Sequence, residues 1–370
     1  MCSSTFGWSQ TIGPFASHRK SRTDYVRDVI ELRKHPLGEQ WPTQGWPVGN
    51  PESEVDTAAA EAALQAIRDT PEDAGLPLAT VVVHRGRMIY EQYAPGFDAA
   101  STFISWSVAK SMVHAVFGIL VGDGRIDIDA PAPVPEFVGT NKASITVRDL
   151  LAMKPGLEFN EDYVDESTSH CIDMLFGAGS NDHAHYAASQ QLLHKPGTEW
   201  NYASGTTNIL ARIAGDIVGG GDKGMRDFLN DRLFAPLGMS SAEPKFDAAG
   251  TFVGSSYVFA TAQDFARFGY LYARDGQWEE RRLLPAGWVD YARTLGVVDP
   301  DPPHFGYGAH WWIWTDQPGS FAAHGYEGQY VIVIPERDLV VVQLSKVPSA
   351  FRPPLVTKLR QLINAFPLLG

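Results

Sequence analysis

The chain has 370 residues, 44% of them hydrophobic, enough to fill one large core or two smaller ones. Its formal net charge of −13 opposes binding to a phosphate backbone or an anionic membrane surface, so neither nucleic acid nor membrane is an expected partner, and small molecules are. Two cysteines, Cys2 and Cys171, give no disulfide framework; with apolar runs such as Ala115–Val121 far below the ~20 residues of a membrane helix, a soluble, cytoplasmic protein is expected.

Residues 1–55, punctuated by Trp41-Pro42 and Gly45-Trp46-Pro47, read as an arm whose tryptophans want burial against the body. An Ala-rich helix at Ala58–Ile67 follows. The β-branched runs Ala79–His84 and Met88–Tyr93, joined by Arg85-Gly86-Arg87, read as a hairpin. At the other end, Tyr330–Ile334 and Leu339–Leu344 form a second hairpin, closed by a helix at Pro354–Ala365. Between them, helical patterns cover Thr146–Met153, Gly205–Val218, Met225–Phe234, Ala262–Ala273 and Ala286–Arg293. The fold class expected is α/β (α+β). One antiparallel sheet is formed by the N- and C-terminal segments (56–125 and 255–370) and flanked by helices, with a mostly helical region inserted at 126–254.

Chemistry concentrates at Ser107-Val108-Ala109-Lys110. Val108, Met112, Ala115, Val116, Ile119 and Leu120 form one helical stripe beginning beside Ser107, which puts Ser107 and Lys110 on one face of the first turn. A serine becomes nucleophilic only when a base takes its proton. A lysine serves if burial and a helix N-terminus lower its pKa, and the same terminus offers N–H groups to an oxyanion. The pattern by itself is weak, since Ser17-His18-Arg19-Lys20 repeats it. Its weight comes from two further elements. Tyr202-Ala203-Ser204 sits on a turn-rich approach to a helix, where the phenol's pKa is expected to fall beside the Lys110 ammonium. Ala323-His324-Gly325-Tyr326 leads into the strand Tyr330–Ile334, with glycines that admit a close approach to the backbone.

In this order the three elements resemble the serine β-lactamase and DD-peptidase superfamily, in its class C-like branch with Ser-x-x-Lys, Tyr-x-Asn (or Tyr-x-Ser) and a Lys-Thr-Gly or His-x-Gly strand, the last slot filled here by His324-Gly325-Tyr326. The stretch Ile145–Met153 with Pro155-Gly156-Leu157 is similar as well. Tyr163, Trp311-Trp312 and Gly328-Gln329 look most like the 6-aminohexanoate-dimer hydrolase group and its carboxylesterase relatives. The resemblance, over roughly residues 60–365, implies a β-lactamase/transpeptidase-like fold and an acyl-enzyme on Ser107, with Lys110 and Tyr202 moving protons and an oxyanion hole from the N–H groups of Ser107 and Tyr326. It further implies substrate contacts at Tyr163, Ser204, Trp312, His324 and Gly325.

Two departures matter. Ser204 stands where Asn is usual, and His324 where a lysine recognises a substrate carboxylate. Both favour esters or linear amides over penicillins. The expectation is therefore an amidase or esterase, with a carboxylesterase, an acyltransferase or a non-catalytic penicillin-binding-like scaffold as alternatives on the same residues. No cofactor is implied. The group His170, Cys171, Asp173, His183, His185 and His194 matches no zinc spacing, and His183-Ala184-His185 is expected in a solvated loop.

Overall fold

The computed structural model describes residues 30–162, 169–299, 304–317 and 319–369. Its framework is an eight-stranded antiparallel sheet. In spatial order the strands are Arg87–Tyr93, Leu76–His84, Leu339–Lys346, Gln329–Ile334, Phe321–Gly325, Trp312–Ile313, Gly306–Tyr307 and Val297–Val298. The two expected hairpins therefore lie side by side, zipped by Val81 opposite Val342 and Val83 opposite Val340.

Successive strand residues face opposite sides, and here both sides are covered, which is why these strands are apolar without alternation. Val81, Val83, Val331, Val333, Val340 and Val342 join the large core shared with the helices Val108–Gly122 and Ala262–Ala273. Val82, Ile332, Ile334 and Val341 face the other way, onto Ala60, Leu64, Leu359 and Leu362 of the first and last helices, Thr57–Arg68 and Arg352–Asn364. The two ends of the chain thus form one layer. The segment between Gly122 and Val258 carries most of the remaining helices.

Several expectations change on contact with the structure. The helix Val108–Gly122 has no single apolar stripe; every residue from Val108 to Leu120 is buried, because the sheet, the helix Ser204–Val218 and the segment around Trp288 enclose it. Helices His170–Phe176 and His183–Ser189 occupy what read as loop. Ser169 and Asp182 cap them by accepting from Ile172 N–H and His185 N–H, and their few apolar positions gave too short a period to find. The arm from Ile30 onward lies on the body, with Trp46 buried and its indole donating to Gln263 O at 3.2 Å. Among the described residues no helix is long and apolar enough to cross a membrane.

Candidate active site

Ser107 is the residue immediately before the helix Val108–Gly122. The chain reaches it through Trp106, held at φ 42°, a left-handed conformation that costs a residue with a bulky side chain about 1–3 kcal/mol. The indole of Trp106 is fixed by donating to Glu327 Oε2 at 3.1 Å and by edge contact with the Tyr326 ring at 5.8 Å. Glu327 is itself at φ 60°, so two strained residues brace each other across the cleft. Ser105 anchors the approach by donating to Ser256 O and accepting from Val258 N–H, each at 3.0 Å. Gly325 lies against it: a Cβ there would stand 2.5 Å from Ser105 O, so only glycine lets this strand end come so near the nucleophile's backbone.

Lys110, one turn into the helix, is 1% exposed. Its Nζ lies 2.8 Å from Ser107 Oγ, 2.8 Å from Ser204 Oγ and 3.0 Å from Ser255 O. Burial lowers its pKa, against a smaller pull upward from Glu161. Two of the three contacts have a fixed sense. Ser255 O is a carbonyl and accepts. Ser204 Oγ donates its own proton to Glu161 Oε1 at 2.5 Å, and therefore accepts from Lys110. In its neutral form the amine has two N–H donors and one lone pair, and with the donors on Ser204 and Ser255 the lone pair is left for the Ser107 hydroxyl; in its protonated form it donates to all three.

Tyr202 precedes the helix Ser204–Val218, and its ring centroid is 5.0 Å from Lys110 Nζ. Its phenol departs from expectation. Burial, reinforced by the Glu161 charge, pushes its pKa well above the ordinary value, and a hydrogen bond with Ser107 offsets only part of this. The expected lowering took no account of how dry the site is, and burial is the larger effect. Tyr202 is therefore a protonated donor at neutral pH.

Ser204, expected at the substrate, is buried with its hydroxyl held between Lys110 and Glu161. Its backbone N–H also donates to Glu161, at 2.7 Å to Oε2. Since Ala203 offers the helix no side-chain cap, the Glu161 carboxylate performs that duty from a distant loop. Glu161 is a site residue that no sequence pattern announced.

A cavity of about 280 Å³ opens in front of Ser107 and Tyr202, lined also by Trp312, His324, Gly325 and Tyr326. His324 stacks on Trp312, with centroids 5.2 Å apart and planes 9° off parallel, and its Nε2 accepts from Trp314 Nε1 at 2.8 Å. That bond fixes the neutral tautomer with its proton on Nδ1. Burial, then the nearby Arg352 guanidinium, holds its pKa well below 6.5. Tyr163 lies outside the described residues. Phe305, Tyr330 and Arg352, which the sequence did not single out, complete much of the wall. A wider groove of about 1010 Å³, between the arm and Pro367–Leu369, holds no comparable nucleophile, and two of its arginines are tied to acids, Arg85 to Glu52 and Arg87 to Glu39.

The histidine group is dispersed. His183 is buried rather than solvated, 3.8 Å from Asp247; His185 pairs with Glu136 at 2.7 Å; and His170 accepts from Asn160 N–H at 2.9 Å.

Comparison with known proteins agrees with this geometry. The family model described as Beta-lactamase matches residues 63–363. A 6-aminohexanoate-dimer hydrolase of Paenarthrobacter ureafaciens is 28% identical over 304 residues, covering 77% of this chain and 75% of that one. Among solved structures, a Bacillus anthracis protein assigned as a 6-aminohexanoate-dimer hydrolase superposes with a TM-score of 0.71 at 22% identity, covering 91% of this chain and 90% of that one. A family VIII carboxylesterase gives 0.65 at 16% identity, over 86% of this chain and 98% of the other. With a match across most of its length and a serine at the cavity paired with a buried lysine at the head of the central helix, the chain belongs to the Beta-lactamase family and is a serine hydrolase.

Proposed function

We propose that the protein cleaves an ester or a linear amide of a small molecule through an acyl-enzyme on Ser107, in the manner named for its 6-aminohexanoate-dimer hydrolase relative. The observation that carries this reading is the contact of the buried Lys110 Nζ with Ser107 Oγ at 2.8 Å, its other partners being Ser204 Oγ and Ser255 O, so that the neutral amine has its lone pair for Ser107.

In the first half-reaction Lys110 takes the Ser107 proton as Oγ bonds to the substrate carbonyl carbon. The carbonyl electrons move onto oxygen, where the N–H groups of Ser107 and Tyr326 receive them. Collapse expels the alcohol or amine, which leaves with a proton from the Lys110–Tyr202 pair; the protonated phenol is the nearer donor to the cavity. In the second half-reaction a water gives its proton to the same pair and attacks the ester carbonyl. The acid departs and Ser107 regains its hydrogen. Glu161 positions: it turns the Ser204 hydroxyl away from Lys110, so that Ser204 receives a lysine N–H instead of competing for the lone pair.

Trp312, His324 and Gly325 contact the substrate in this reading, supported by their place on the cavity wall. His324 supplies a neutral donor there and no charge, which favours esters and linear amides over penicillins. A cytoplasmic location belongs to the same reading, supported by a sequence with two cysteines and no disulfide framework. The test is turnover of a p-nitrophenyl ester series by the protein and by Ser107→Ala. Loss of turnover to the uncatalysed level in the variant is expected; equal rates would refute the assignment.

A further inference from the structure

The departure at His324 leaves the strand side of the cavity without a cation, yet the cavity has one, supplied by another element. Arg352 is the first residue of the helix Arg352–Asn364, and among the residues that line the cavity with Ser107 it alone carries a fixed positive charge. Among the described residues Arg352 has no ion-pair or hydrogen-bond partner, and its Nε is buried without an acceptor. The residue is only half-buried, and Nε is its one guanidinium nitrogen shut off from solvent, which leaves the other two facing the open cavity.

Its position in the helix sharpens the point. The N-terminus of a helix is the positive end of its dipole, where a carboxylate is favoured and a cation opposed. Here a cation sits on that end, followed by Pro353 and Pro354, which have no N–H to donate. The two positive contributions add rather than cancel, and both bear on the cavity. The guanidinium is near enough to act on the titration of Tyr202, His324 and Tyr330. Ser349, on the turn before the helix, lines the same wall and offers a hydroxyl. Asp299 also lines the cavity, the one carboxylate among the described residues that do.

We propose that Arg352 is the specificity-determining residue of this cleft and that it binds a carboxylate carried by the substrate. The preferred substrate is thus a small anionic ester or amide. The carboxylate-recognising charge comes from the closing helix, with the strand position at His324 left neutral. A planar guanidinium presents paired donors matched to a carboxylate, which an ammonium does not. The remaining wall is aromatic and apolar, from Phe305, Trp312, Tyr330 and Val356, and at about 280 Å³ it suits a short chain between the scissile carbonyl and the anion.

This inference rests on the hydrolase reading for its kinetic arm but not for its binding arm. In the kinetic arm, matched esters differ only in a carboxylate. Mono-p-nitrophenyl glutarate against p-nitrophenyl pentanoate tests the acyl side, and 4-butyryloxybenzoate against its methyl ester tests the leaving-group side. We expect the carboxylate to raise kcat/KM about tenfold or more on one of the two sides, Arg352→Gln to erase that ratio, and Arg352→Lys to restore part of it. Melting temperature establishes that each variant is folded. In the binding arm, calorimetry follows glutarate binding to Ser107→Ala protein with and without Arg352→Gln, and the second change is expected to abolish it. A neutral or amine-bearing ester preferred over its anionic match would overturn the proposal, as would an anionic preference or glutarate binding that survives in Arg352→Gln. If no ester is turned over, the hydrolase reading fails, and the binding arm alone decides the role of Arg352.

Discussion

The sheet and the cleft are built on opposite terms. In the sheet, Val81 through Val83 and Tyr330 through Ile334 sit in ordinary extended backbone, with both faces covered by apolar neighbours. A few ångströms away the chain holds Trp106 and Glu327 at positive φ, encloses Lys110, and leaves the Nε of Arg352 without an acceptor. Stability is gathered where residues agree with their surroundings, and reactivity where they are held against them. The framework tolerates the strain because hairpins from both ends of the chain close on each other, so the strand end at Gly325 cannot drift from Ser105.

This contrast can be broken from either side. The largest effect belongs to the cleft. Lys110→Ala removes the base proposed for Ser107, and kcat/KM on a p-nitrophenyl ester should fall by about 10²–10⁴. Thermal stability should hardly suffer, because the deleted group is buried against its own solvation. The pH dependence of stability should change too. The folded pKa of Lys110 is lowered from 10.5, so over the interval between the two values the unfolded chain binds more protons, and stability rises with pH there. Urea titrations at several pH values should show that slope reduced in the variant.

Next comes the sheet. Ile332 faces the first and last helices, away from Ser107, and Ile332→Ala should cost about 2–5 kcal/mol in denaturant unfolding while kcat per folded molecule stays the same. A parallel loss of kcat would show that framework and cleft are not separable. The smallest effect sharpens the distinction within the cleft. Glu161→Gln removes a negative charge that raises the Lys110 pKa, so the acid limb of the kcat/KM profile should move to lower pH, with a rate loss of about tenfold from the misdirected Ser204 hydroxyl. A purely structural role for Glu161 would lower the rate without moving the limb.

How much of this was legible in the sequence follows the same division. Strands and long helices carry their own periodicity, and the helix Ala262–Ala273 was readable to the residue because Thr261 caps it and its apolar positions repeat. Ser107, Lys110 and Tyr202 were legible as local motifs at the mouths of helices. Glu161 and Arg352 were not. Glu161 lies in a segment with no periodic signal and Arg352 two residues ahead of the helix that the pattern outlines, and each acts on residues far along the chain, Glu161 on Ser204 and Arg352 on the wall around His324. The sign of the Tyr202 shift was misread for a related reason: motif spacing tells which groups meet, and only packing tells how dry the meeting place is. His183 was assigned to solvent on composition, and the short helix that buries it depends on the Asp182 cap and on Asp247, 64 residues away.

The central claim is that burial lowers the pKa of Lys110 so that it can activate Ser107. It is tested most directly by the rate of fluorophosphonate labelling as a function of pH, with the modified residue located by peptide mass spectrometry. The account predicts one adduct, on Ser107, formed at a rate that rises through a midpoint below the ordinary lysine value of 10.5 and is lost in Lys110→Ala. An adduct elsewhere, or labelling of Ser107 that is unchanged by loss of Lys110, would contradict it.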